Sequence, residues 1–163
     1  MTMTMHSASV AECSPRFGQI PAAGHDSFAQ PLSDGAFVAL RAAYRSTGGI
    51  ARGDEIAAWA NQKGQGDFLS LNRAIVAGEL FSFSWNNTFW LPMFQFDLHD
   101  LSVRRDLLPL IWELQNDCDG WALATWFARA HADLGGQAPV ELLDTELAAV
   151  LVAARAGRQV ETG

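Results

Sequence analysis

Seven of the sixteen Phe and Trp residues of this chain crowd into residues 80–97: Phe81, Phe83, Trp85, Phe89, Trp90, Phe94 and Phe96. Aromatic side chains bury large areas and dominate core energetics, so this stretch has to sit where two layers meet. Phe81, Phe83 and Trp85 alternate with Ser82 and Ser84, the period-2 pattern of a strand with one buried face. Asn86-Asn87 follows, and Asn tolerates the positive φ of a two-residue hairpin turn. That loop length sets Phe83 opposite Trp90 and Ser84 opposite Phe89, an aromatic pair that pins register. Pro92 has no N–H for a ladder, so the second strand ends there or lies at an edge. The expectation is a small aromatic hairpin with helices on both sides.

At 163 residues the chain is one domain or two small ones. No apolar run reaches the roughly 18 residues of a membrane span, and the N-terminus lacks a basic flank before an apolar core. A cytoplasmic protein is expected, without a membrane partner. Cys13 and Cys118 are the only cysteines, and in a reducing cytosol two free thiols are expected. The net charge of −7 argues against nucleic acid at first sight. Its distribution is uneven. Residues 36–78 carry Arg41, Arg45, Arg52, Lys63 and Arg73 against three acidic groups, whereas residues 80–163 carry five Arg against eleven acidic groups. The chain thus divides at the hairpin into a weakly basic front and an acidic back.

Residues 1–32 are rich in Ser, Ala, Pro and Gly, without periodicity. They read as a disordered leader with Phe17, Ile20 and Phe28 as docking points. Ser33 or Asp34 caps a helix to about Ser46, with Phe37, Leu40 and Tyr44 inward and Gly48-Gly49 ending it. Asp54 caps a short helix with Ile56 and Trp59 inward. Asp67 caps a third, closed by Gly78 in the left-handed conformation. The wheel of this third helix puts Phe68, Leu69, Leu71, Ile75 and Val76 on one broad inner face and Ser70, Arg73 and Ala77 opposite. Two short helices, a Gly-containing turn and a hairpin give the layout of a helix-turn-helix with a wing. Ser70 and Arg73 would then face a DNA groove, with Lys63 and Gln65 near phosphates.

After Asp97 a polar link leads to a helix capped by Asp106, with Pro109 in its first turn and Leu107, Leu110, Ile111 and Leu114 inward. Asp119 caps the next helix, which holds Trp126 and Phe127. A Gly-rich loop, Leu134-Gly135-Gly136, precedes a helical turn from Pro139 to Leu143. Asp144 or Thr145 caps the last helix, and Gly157 stops it. No G-x-S-x-G elbow, P-loop or dinucleotide fingerprint is present. His99 between Asp97 and Asp100 reads as a solvated turn, and His6, Cys13 and His25 lack metal-ligand spacing. Neither an enzyme nor a cofactor or metal is expected.

Trp126-Phe127, Leu134-Gly135-Gly136, Pro139 and Leu142-Leu143-Asp144 resemble the C-terminal toxin-binding domain of Xre/MbcA/ParS-type antitoxins. Arg73, Gly78-Glu79-Leu80-Phe81, Leu91-Pro92 and Phe94-Gln95-Phe96-Asp97 are similar to the winged segment that precedes it in several members. The resemblance covers about residues 50–157. Two departures stand out: His131-Ala132-Asp133 replaces the Pro-Asn-like turn often found before the Leu-Gly pair, and the front is not a close match to the Xre type. The resemblance implies a non-catalytic antitoxin that silences a RES-type toxin, an NAD-destroying protein, and acts as a homodimer or higher oligomer. Many members also repress their own operator DNA.

Trp126, Leu134, Gly135, Gly136, Pro139, Leu142, Leu143 and Arg155 are the expected partner-binding residues; Lys63, Gln65, Ser70 and Arg73 are the expected DNA-binding ones. Trp126 and Phe127 lie about 100° apart on one helix, so at least one belongs to the core. An acidic helical back suits a partner with a basic or nucleotide-phosphate-binding cleft. The expected architecture is mainly α, about six helices in two clusters around one aromatic hairpin: a leader (1–32), a helix-turn-helix-like front with a wing (33–97) and a helical back (98–163). A DNA-binding regulator without a toxin, and a non-catalytic scaffold, stay open as alternatives.

Overall fold

The computed structural model describes residues 33–162; the leader, with Phe17, Ile20 and Phe28, lies outside the described residues. The order is α1 (Asp34–Ala43), β1 (Ile50–Arg52), α2 (Gly53–Gln62), α3 (Phe68–Val76), β2 (Phe83–Trp85), β3 (Thr88–Pro92), α4 (Leu108–Gln115), α5 (Gly120–Ala128), α6 (Pro139–Leu142) and α7 (Leu147–Thr162). The fold is mainly α with a small antiparallel sheet. The seventh helix, beyond the six or so expected, is the four-residue turn α6.

The hairpin forms as its sequence dictates. Asn86 and Asn87 take φ of 53° and 59°, the double positive φ of a type I′ turn. Phe83 pairs with Trp90 and Ser84 with Phe89. The short strand β1 is an addition to the expected hairpin: three residues between two glycines and a helix give no period to read. It pairs with the other side of β3, Ile50 against Pro92, so the sheet order is β1-β3-β2. Pro92 ends the central strand and does not mark an edge.

Both faces of β3 are therefore covered. Trp90 points with Phe83 and Trp85 into a large cluster that also takes Phe37, Tyr44, Phe81, Phe94 and the inner residues of α4 to α7. Phe89 and Leu91 point the other way, into a smaller cluster with Ile56, Ala57, Leu71, Leu80, Met93 and Phe96. Phe37 stacks on Trp85 with ring centroids 3.8 Å apart, so α1 packs with the back of the chain. The Tyr44 hydroxyl donates to the Ala124 carbonyl at 2.7 Å, and burial pushes its pKa well above the ordinary phenol range. Between the clusters lies Gln95, a fully buried polar side chain. Its Oε1 accepts from the Phe81 N–H at 2.8 Å, and its Nε2 donates to the carbonyls of Phe81 (3.0 Å) and Pro92 (3.2 Å).

Several expected caps sit where the sequence places them. Ser33, Asp67 and Asp119 accept from the N–H of Ala36, Ser70 and Ala122 at 2.8–3.0 Å, and Gly78 closes α3 at φ 79°. Others differ. α2 begins at Gly53 with Arg52 as its cap residue, and Asp54 pairs with the Arg52 guanidinium instead (2.7 Å). Asp106 caps nothing: the chain first makes a 3-10 turn, Arg105–Leu107, and Asp106 binds Arg104 at 2.7 Å. Asp144 likewise goes to Arg104, at 2.9 Å. In each case a nearby guanidinium outcompetes the backbone N–H for the carboxylate. α7 runs through Gly157 to Thr162; one interior glycine costs about 1 kcal/mol, too little to stop a helix of Ala, Arg and Gln. Cys118 is disulfide-bonded, contrary to the expectation of free thiols, since compartment is a statistical guide and says nothing of which sulfurs meet.

Candidate partner-binding surfaces

In the front, the order α1-β1-α2-α3-β2-β3 with β1 against β3 sets α2 and α3 on one face of the sheet. α3 departs from the expected wheel. Leu71, Ala74 and Ile75 reach the smaller core, and the half-exposed Phe68 meets Phe89 edge-on at 5.8 Å, whereas Leu69 (56% exposed) and Val76 (87%) face solvent. Trp59 of α2 is also exposed. The reason is spacing: Leu69, Arg73 and Val76 fall at i, i+4 and i+7, a single ridge opposite Leu71 and Ala74. The broad apolar face was wider than the core it had to cover.

The four expected DNA-contacting residues are all exposed or partly so and lie along α3 and the turn before it. Their chemistry is already partly used. The Lys63 Nζ donates to the His99 carbonyl at 3.2 Å, and the Ser70 hydroxyl donates to Asp67 Oδ1 at 3.1 Å. The Asp67 carboxylate also accepts the Ser70 backbone N–H, which with the hydroxyl holds its pKa below the usual carboxylate range. An anion thus occupies the N-terminus of α3, where a phosphate would otherwise seat. Asn86-Asn87 at the tip of the wing brings no cation.

The back half is built on α5. Phe127 is fully buried and stacks on Phe81 (5.8 Å between centroids), and Trp126 meets Phe127 edge-on at 5.2 Å. Gly120 is obligatory, because a Cβ there would overlap the Ser82 carbonyl oxygen. The loop after α5 closes on itself. The N–H of His131 donates to the Gln137 carbonyl at 3.1 Å, and that of Gly136 donates to the His131 carbonyl at 2.9 Å. Gly135 and Gly136 hold φ of 68° and 81°, and a Cβ at either would have no neighbour within 4 Å. They are needed for the turn and leave bare backbone on the surface. His131 Nε2 lies 3.1 Å from the Trp126 carbonyl, so the departure from a Pro-Asn-like turn still anchors the loop to α5.

Of the eight expected partner-binding residues, Trp126, Leu134, Pro139, Leu142 and Leu143 are buried. They shape the domain from inside. Gly135, Gly136 and Arg155 are on the surface, Arg155 with its Nε bound to Glu113 at 3.1 Å. Around them lie Asp133, Gln137, Glu141, Asp144, Ala148 and Val152, all exposed. Residues 118–158 match the model of the antitoxin Xre/MbcA/ParS C-terminal toxin-binding domain. No curated protein and no solved structure matches the chain. The matched segment begins at Cys118 and ends in α7, so the sheet and α1 to α4 lie outside it.

Sequence reasoning missed Arg104, which joins the link before α4 to the matched segment through Asp106 and Asp144. Its two carboxylate partners raise its pKa, with the Asp106 hydrogen bond the largest cause. The signal was present as an Arg-Arg-Asp run, but its second partner lies forty residues away in sequence. The exposed Trp112 of α4 was also missed; its Nε1 donates to the Gly78 carbonyl at 2.8 Å. Among the described residues no helix is long and apolar enough to cross a membrane.

Proposed function

We propose that this chain is an antitoxin whose C-terminal domain binds and silences a toxin protein, of the RES type that the resemblance implies. The observation that carries the reading is the family match over residues 118–158. Within that domain the residues that define the motif are largely core, so the contact surface is the bare backbone of Gly135-Gly136 together with Gln137 and the outward face of α7. Asp133 and Glu141 give this surface a negative field, suited to a cationic cleft. The motif therefore acts indirectly: Trp126, Leu134, Leu142 and Leu143 fix the loop, and the loop meets the partner. Co-expression with the protein encoded by a neighbouring gene tests this. Rescue of growth and co-purification support it; a toxic neighbour that neither binds nor is neutralised overturns it. Gln137→Arg, an exposed side chain beside the two glycines, should lower toxin affinity at least tenfold while leaving the fold intact, as read by calorimetric titration and circular dichroism.

A second activity, operator binding by the front, is part of the same proposal; two short helices, α2 and α3, on one face of a small sheet support it. Arg73 is the cation on the outward ridge of α3. Arg73→Ala should then weaken binding to the promoter fragment and reduce its salt dependence by about one phosphate contact. Unchanged binding removes α3 as a reading helix. A homodimer, also implied by the resemblance, is read from the mass in solution by light scattering.

A further inference from the structure

α1 buries Phe37 and Leu40, with Tyr44 just after it, and turns a second ridge outward. Val38, Arg41 and Arg45 fall on that ridge at i, i+3 and i+7, Arg45 on the 3-10 turn that follows the helix. With Gly48, Gly49 and Ile50 they line a groove of about 490 Å³, a size typical of ligand-binding clefts. Both guanidiniums are exposed. Arg52, Arg104 and Arg155 each hold a carboxylate at 2.7–3.1 Å. Among the described residues Arg41 and Arg45 hold none. The chain has 18 acidic groups for 11 basic ones, so a shortage of carboxylates does not explain the bare pair.

Two packing contacts fix where the groove looks. The 3-10 turn packs against α6, so the Arg45 end adjoins the helix that carries the exposed Glu141. Phe37 stacks on Trp85, which puts α1 on the sheet face opposite α3. A duplex lying along the ridge of α3 is therefore on the far side of the sheet.

We propose that this groove is a second part of the toxin contact, receiving an Asp- or Glu-bearing segment of the toxin. The inference rests on the antitoxin reading above. A guanidinium matches a carboxylate with two parallel N–H donors, and two of them one helical turn apart grip an acidic segment in one direction. Gly49 leaves the wall open, since a Cβ there would meet nothing within 4 Å, and the exposed Val38 offers an apolar edge to the stem of the incoming side chain. Glu141 alongside repels phosphates, which favours a protein over a nucleic acid. The contact thus alternates in sign: an acidic loop enters a cationic cleft, and a basic groove beside it takes an acidic segment. Alternation fixes orientation and rejects partners of uniform field.

The test uses the full chain and the toxic protein encoded by the neighbouring gene, titrated by calorimetry. Arg41→Glu/Arg45→Glu should weaken binding by about tenfold or more and change its salt dependence, with circular dichroism unchanged because both side chains are exposed. In the complex of Arg41→Lys/Arg45→Lys, a carbodiimide should join an introduced amine to a toxin carboxylate as an amide, with loss of water, and mass spectrometry locates the acidic residue. Toxin bound equally well by the double Glu variant overturns the proposal and leaves the antitoxin reading standing. So do cross-links confined to this chain, and so does loss of promoter-fragment binding with toxin affinity unchanged, which would give the groove to phosphates. A parent chain that binds no toxin removes the antitoxin reading and this inference together.

Discussion

The two sides of the sheet differ in kind. The side that takes Phe83, Trp85 and Trp90 is covered by five helices, α1 and α4 to α7, and buries two groups of rings, one around Phe37 and one around Phe94 and Phe127. The side that takes Phe89 and Leu91 is covered by two short helices, α2 and α3, with Phe96, Leu101 and Val103 of the following link, and α3 leaves Leu69 and Val76 in solvent. The same three strands thus serve as the wall of a full core and as the floor of a thin one. Helix α3 is held by the thin core, whereas residues 118–158, the family-matched segment, are embedded in the full one. Rigidity has been placed under the loop at 131–137, and tolerance of change under α3.

Phe127→Ala should break this arrangement most severely. It removes a fully buried ring from the large core and should cost about 3–5 kcal/mol, read by urea denaturation as loss of the whole transition. Gln95→Leu comes next. It strips partners from the N–H and carbonyl of Phe81 and from the Pro92 carbonyl, and should cost about 2–3 kcal/mol. Because Gln95 lies between the clusters, amide protection should fall on both sides of the sheet; a one-sided loss would show the cores to be independent. Leu71→Ala should cost about 2 kcal/mol, with faster hydrogen exchange in α2 and α3 and unchanged protection in α5. Uniform loss there would mean the thin core is no thinner energetically.

The smallest effect sharpens the link between the halves. The Arg104 guanidinium holds the Asp106 carboxyl below the usual carboxylate range, first by its hydrogen bond and then by its charge. A carboxylate with a depressed folded pKa contributes stability that is complete above its ordinary value, about pH 4, and is lost as pH falls through the folded value. Asp106→Asn should therefore be less stable than the parent by under about 1 kcal/mol at pH 7. The gap should close below pH 4, and thermal unfolding across pH 2–7 measures it. A gap that widens in acid reverses the assignment.

Much of this was legible in residues 80–97. Alternation, an Asn-Asn turn and a two-residue loop fix strand register through local rules, and the register is as expected at every pair. Caps at Ser33, Asp67 and Asp119 were legible for the same reason: the partner N–H is three residues away. What was not legible depends on distant neighbours. Three residues of β1 have no period of their own and become a strand because β3 has an unpaired side. Asp106 and Asp144 look like caps until Arg104 is near both. Phe68, Leu69 and Val76 look like core because a helical wheel shows which residues share a face but not how much neighbour there is to cover it. The motif of the toxin-binding domain was legible as pattern, yet most of its residues proved to be scaffold. A side chain recurs in a pattern equally well when it touches a partner and when it shapes what does.

The sheet order carries one more consequence. β3, the longest strand, is paired on both sides, and the two edges it leaves are β1 and β2, each three residues long. An edge that short exposes only one or two free N–H and C=O groups, too few to template a further strand from another molecule. Among the described residues neither fibrillar stacking nor strand exchange has a foothold. A partner of this part of the chain is gripped through side chains and loops, and the sheet stays closed to growth.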